Sequence, residues 1–220
     1  MPRKLLYRTD WNPYHVTARV NNREDFPLPL REQWKIFQEE LLILNFLFEA
    51  EIHAFVLMPN HYHLILTVPN PNFDLGYLMS LFQCTVTKRT NFRAGKSGHL
   101  FGGPYHWSAI MTSRYYYHAL KYVYRNPVKA RICERVEHYE FSTFTGLFGG
   151  VSLPFPIHYT RSGMEVHFPS EEPSGWVDWL NRPFGVEMEE RIRSGLKKKV
   201  FGPTRNRKTR KFDQSLDLDS

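Results

Sequence analysis

The chain has 220 residues, 42% of them hydrophobic and 15% aromatic, enough to enclose a substantial core and too apolar for a disordered polymer. No run of about 18 apolar residues occurs, so no membrane span is expected, and two cysteines exclude a disulfide scaffold or a four-cysteine zinc site. Lys and Arg outnumber Asp and Glu by 29 to 22, a net charge of +7 that favours a polyanionic partner, nucleic acid above all.

The N-terminal MPRKLLYRTDWNP lacks the apolar stretch of a secretory signal. Together with Cys84 and Cys133, read as reduced core thiols, this points to a cytoplasmic protein. Tyr14 to Val20 carries β-branched residues at alternate positions and predicts a strand. Leu30, Trp34, Phe37, Leu41, Leu44 and Phe48 recur at helical spacing and predict one face of a long helix. Ile52–Met58 and His61–Val68, broken by Pro59-Asn60, predict two adjacent antiparallel strands. A second helix carries Leu75, Leu78, Phe82 and Val86 on one side. A Gly-rich loop then leads to a strand at Tyr105–Ile110. Thr112-Ser113 caps a third helix from Arg114 to about Arg125, closed by Asn126-Pro127.

The order β-α-β-β-α-β plus a helix predicts an α+β fold. It is the ferredoxin-like split βαβ: a four-stranded antiparallel sheet, both crossover helices on one face, and a third helix added. Composition divides the chain into a domain over residues 1–146, an irregular Pro/Gly-rich extension over 147–195 with short helices around Trp176 and Val186, and a basic tail over 196–220.

His61-Tyr62-His63 is the sharpest local feature. Residues i and i+2 of a strand project to one side, roughly 6–7 Å apart. Two imidazoles there can converge on one divalent cation, with Tyr62 pointing the other way; an ordinary pair of strand-end histidines fits the same pattern. On the third helix, Tyr116, Leu120 and Val123 form a core face. Tyr115, His118, Tyr122 and Asn126 form a separate polar-aromatic stripe, on which Tyr122 and Asn126 lie one turn apart.

The run Phe55 to Ile65, FVLMPNHYHLI, resembles the metal-binding motif of HUH endonucleases. Gly98-His99-Leu100-Phe101 to Ser108, followed by Tyr122 to Ala130, YVYRNPVKA, is similar to the single-tyrosine transposases. The Asn-Pro-Val ending and the later Phe141-Ser142-Thr143-Phe144 most resemble the REP-associated branch. The resemblance spans roughly Tyr14 to Phe144 and implies the ferredoxin-like fold that the periodicity already predicts. It implies a single-strand DNA endonuclease and strand transferase in which His61 and His63 hold Mg²⁺ or Mn²⁺. Tyr122 stands at the position of the nucleophile, and Asn126 at that of a polar third ligand in place of a glutamine. It also implies a 5′-phosphotyrosine intermediate and a single-stranded, hairpin-containing DNA partner, acted on by a monomer or a homodimer. Arg114, Lys121, Arg125, Lys129 and Arg131, and a second group of Lys88, Arg89 and Arg93, are candidate DNA-binding cations. Two rivals stand beside this reading. One is a domesticated relative that binds or nicks structured DNA without transposing; the other is an RNA-binding module stacking bases on sheet aromatics.

Overall fold

Alternation along the first strand sorts its side chains into two sets. Tyr14, Val16 and Ala18 point to one side of β1 (Tyr14–Arg19), and His15, Thr17 and Arg19 to the other. The computed structural model, which describes residues 12–148, 150–158 and 173–203, sets this strand in the middle of a five-stranded sheet of order β2-β3-β1-β4-β5. The other strands are β2 (Glu51–Met58), β3 (His61–Thr67), β4 (His106–Ile110) and the short β5 (Val200–Phe201). β1 runs antiparallel to β3 and β4, with Thr17 opposite His63, Arg19 opposite His61 and His15 opposite Ser108.

The four predicted strands are all present, in ferredoxin-like order. The fifth is a departure: β5 adds to β4 in parallel, through Ala109 N–H to the Lys199 carbonyl and Met111 N–H to the Phe201 carbonyl. It is drawn from residues expected to open the basic tail. A two-residue strand carries no periodicity, so only the exposed edge of β4 reveals its need for a partner. The opposite edge, on β2, is covered as well. Leu57 N–H donates to the Phe141 carbonyl, Phe55 N–H to Thr143 Oγ1, and the Tyr139 hydroxyl to the Leu57 carbonyl.

One face of the sheet is covered by α1 (Leu30–Phe48) and α2 (Leu75–Ala94). Tyr62 points into this layer as expected, fully buried among Phe37, Phe55, Phe82 and Phe101. Asp74 caps α2 through Tyr77 N–H, and Gly95, at φ +62°, ends it in the left-handed conformation that glycine adopts without a Cβ clash.

The other face carries α3 (Ser113–Lys129), and against α3 lie α5 (Pro173–Asn181) and α6 (Val186–Gly195). The short helices expected around Trp176 and Val186 are α5 and α6, which bury Trp176, Leu180 and Ile192, and the residues after them bury Leu196 and Phe201. Short α4 (Phe144–Phe148) follows the segment that lines β2. Tail cations such as Arg205, Arg207, Lys208, Arg210 and Lys211, and the first 11 residues, lie outside the described residues.

Three further expectations are corrected. Helix α3 does not close at Asn126-Pro127 but continues to Lys129 with Pro127 inside it. Proline removes the N–H that would serve the Val123 carbonyl, and the Asn126 side chain compensates: its Nδ2 donates to the carbonyls of Tyr122 (2.8 Å) and Val123 (3.4 Å). The stripe on α3 is split: Tyr115 and His118 are enclosed, Tyr115 edge-on against Phe201 and His118 against Phe184, while Tyr122 and Asn126 stay half-buried. The cysteines are free thiols as expected but not core residues, Cys84 being exposed and Cys133 half-buried. No helix among the described residues is long and apolar enough to cross a membrane.

Candidate active site

The sheet face beneath α3 is polar at one end. His61 and His63 on β3 project there with His15 and Arg19 on β1, because strands in register share a face at alternate positions. Above them α3 brings down Tyr122 and Asn126. Together they line a cleft of about 1380 Å³ whose walls also include Arg23, Gly102, His106, Lys129, Arg193 and Lys197. Gly102 permits one wall to close up, since a Cβ there would stand 3.3 Å from the Asn21 Cα.

Tyr122 and the two histidines, 59 and more positions apart in sequence, meet here. The Tyr122 ring centroid lies 5.8 Å from that of His63, edge-on, and the His61 and His63 rings are 5.1 Å apart. His61 Nδ1 is 2.7 Å from Asn60 Oδ1, and His63 Nδ1 is 2.9 Å from His15 Nε2. Each ring thus spends Nδ1 on a neighbour, leaving its Nε2 as the nitrogen open to a ligand. This is the usual arrangement of a metal-binding histidine. Asn126 spends Nδ2 on the α3 backbone, which leaves Oδ1 as its spare acceptor. Among the described residues no group of three or more His, Cys, Asp or Glu side chains gathers around a common ion position. Further oxygen donors would come from the Asn126 amide, from solvent or from a bound phosphate. Two neutral imidazoles and an amide fit Mn²⁺ or Co²⁺ and, less typically, Mg²⁺.

Burial keeps these imidazoles neutral. His15 is held down at about 3 by burial, and His61 at about 4 by burial and then by Arg19. His63 lies well below its ordinary value through burial, with His15, His61 and Arg19 adding to the effect. Burial raises the Tyr122 phenol; Arg193 and Arg19 oppose this, while Glu189 and Glu190 reinforce it. The folded protein therefore takes up fewer protons than the unfolded chain as the pH falls below the ordinary histidine value of 6.5. Stability is expected to decline on acidification from pH 6.5 toward 4, measured as the urea midpoint, with a shallower decline in His15→Phe. A midpoint that is flat over that range would contradict this account.

The candidate DNA-binding cations separate into groups. Lys129 lines the cleft and pairs with Glu189. Arg114 and Arg131 are exposed. Lys121 is not available to a phosphate: it is buried, its Nζ 4.7 Å from the Trp179 ring centroid and 4.8 Å from that of Phe184. Arg125 donates to the carbonyls of Leu180 (2.9 Å) and Asn181 (2.5 Å), capping α5. No spacing within α3 shows which of its side chains α5 and α6 cover, so both looked like surface charges in sequence. Lys88, Arg89 and Arg93 sit on α2, across the sheet from Tyr122, with Arg89 paired to Glu39 and Glu40.

Sequence reasoning missed His15, Arg19, Asn60 and Arg193. The first two carried a signal: His15-x-Thr17-x-Arg19 is a polar period-two pattern on a strand whose other face is apolar. Asn60 was read only as a turn residue, and Arg193 belongs to a helix with no motif. Of the other tyrosines on α3, Tyr124 is buried with its hydroxyl 3.1 Å from Thr143 Oγ1, and Tyr115 is buried against Phe201.

The split βαβ sheet thus bears two histidines beneath a tyrosine presented by the helix above them. Comparison with known proteins gives two likenesses. The chain is 28% identical over 132 residues to the REP-associated tyrosine transposase of Escherichia coli (strain K12), a match covering 60% of this chain and 75% of that protein. It is similar in fold to a solved REP-associated tyrosine transposase bound to a REP hairpin, with a TM-score of 0.55 and 23% identity over 73% of this chain and 94% of that one. No model of a protein family matches. The chain thus resembles the REP-associated tyrosine transposases in both sequence and fold.

Proposed function

We propose that the protein is a transposase-type enzyme that cleaves and rejoins single-stranded, hairpin-containing DNA through Tyr122. The observation that carries this reading is the meeting of the Tyr122 ring with the His61–His63 pair in one cleft rimmed by Arg19, Arg193, Lys129 and Lys197. The likeness in sequence and fold to REP-associated transposases, one of them solved with a REP hairpin, supports the same substrate class.

His61 and His63, with Asn126, would hold a divalent cation, which when bound draws charge from a non-bridging phosphate oxygen. The remaining chemistry belongs to the chain. Tyr122 gives up its phenolic proton and its Oη attacks phosphorus. The Oη–P bond forms as the P–O3′ bond breaks, leaving a 5′-phosphotyrosine and a 3′-oxygen that takes up a proton as a free 3′-OH. A second 3′-OH reverses the step, so joining needs no external energy source. A phenol with an ordinary value near 10 is a weak nucleophile at neutral pH. Arg193 and Arg19 act against the burial that raises it, and their guanidiniums suit phosphate oxygens.

The RNA-binding alternative finds little support, because the sheet aromatics such as Tyr62 and Phe55 are buried under α1 and α2 rather than offered to bases. The test is incubation with end-labelled single-stranded hairpin DNA and Mn²⁺. Cation-dependent shortening of the label together with an SDS-resistant adduct is expected. Binding without any cleavage would replace this reading with that of a domesticated binding protein.

A further inference from the structure

His15 has no part in the chemistry above, yet it is buried in the same layer and its Nε2 makes the hydrogen bond to His63 Nδ1. We propose that His15 is the positioning residue of the His63 ligand, accepting the Nδ1 proton of His63 and so presenting His63 Nε2 to the cation. The inference rests on the metal-dependent reading of the cleft.

The two rings lie 5.2 Å apart at an interplanar angle of 19°, and the N···N distance of 2.9 Å admits a single proton between them. A nitrogen that binds a cation must keep its lone pair. If His63 binds through Nε2, its proton sits on Nδ1, which makes His15 Nε2 the acceptor and puts the His15 proton on its own Nδ1. Ser108, the register partner of His15 across β4, is fully buried, but its Oγ makes no hydrogen bond among the described residues, so it does not hold that proton. His61 is fixed in the same sense by a different neighbour, Asn60, whose Oδ1 accepts from its Nδ1. Two ligands would thus be oriented by two adjacent polar residues, neither of which contacts the cation. His15 itself is not a third ligand by this arrangement, because its Nε2 is already committed to His63.

The experiment measures Mn²⁺ affinity of the DNA-free protein by electron paramagnetic resonance for the parent, His15→Phe, His15→Gln and His61→Ala. Hairpin binding in EDTA is followed alongside. His15→Phe is expected to weaken Mn²⁺ binding about 10–100-fold while hairpin binding in EDTA stays unchanged. His15→Gln, whose Oε1 can still accept, should recover most of the affinity. Equal affinity of His15→Phe and parent would overturn the role of His15 while leaving the cleft reading intact, provided His61→Ala loses the ion. A parent whose Mn²⁺ binding ignores His61→Ala would overturn the reading itself. Long-range ¹H–¹⁵N correlation on the unsubstituted protein needs no variant: His63 protonated on Nδ1 is expected, and His63 protonated on Nε2 overturns the proposal even if His15→Phe fails to fold.

Discussion

Tyr122→Phe is expected to form no covalent DNA adduct and to lower hairpin cleavage by on the order of 10⁴-fold or more, since the substitution removes the attacking atom itself. The other nearby phenols cannot take over without rebuilding the core. Tyr124 is tied to Thr143 beside the β2 edge, and Tyr115 is wedged against Phe201 of β5. The ring of Phe retains the edge-on contacts with His63 and His15, so the thermal midpoint should barely move. Hairpin binding should also persist, because Arg19, Lys129, Arg193 and Lys197 are untouched. Loss of cleavage with folding and binding intact is the signature of a nucleophile rather than of a packing residue.

His61→Ala and His63→Ala should each abolish cation-dependent cleavage while leaving hairpin binding in EDTA largely intact, but they should differ in stability. His61 is only half-buried and its partner Asn60 lies beside solvent, so its loss should cost little. His63 is buried, and removing it leaves the enclosed His15 Nε2 without its hydrogen bond. An unsatisfied buried polar group of this kind costs about 1–3 kcal/mol, so His63→Ala should unfold at distinctly lower denaturant than His61→Ala. Equal stability of the two, or cleavage surviving in either, would count against the arrangement described.

Much of this architecture was legible because its elements have strong, long periodicities. The apolar rows of α1 and α2, the alternation of β1 and the apolar runs of β2 and β3 left little choice of fold. The His61-x-His63 spacing placed two imidazoles on one face whatever the tertiary detail. What escaped was set by elements with weak local signals. Val200-Phe201 is too short to show a period, and its role depends on the open edge of β4. Enclosure of Lys121, Arg125 and His118 depends on where α5 and α6 settle, which no spacing within α3 encodes. Pro127 suggested a helix end because the compensating Asn126 side chain is a three-dimensional contact. His15 was hidden in plain view: its alternation with Thr17 and Arg19 marks a polar face, but only the pairing of β1 with β3 reveals that this face is the histidine site.

The most direct measurement of the central claim is mass spectrometry of the SDS-resistant complex trapped on single-stranded hairpin DNA with Mn²⁺. After protease and nuclease digestion, a peptide carrying a 5′-phosphonucleotide on Tyr122 is the expected product. A nucleotide on any other residue, or cleaved DNA with no covalent link to the protein, would contradict the account.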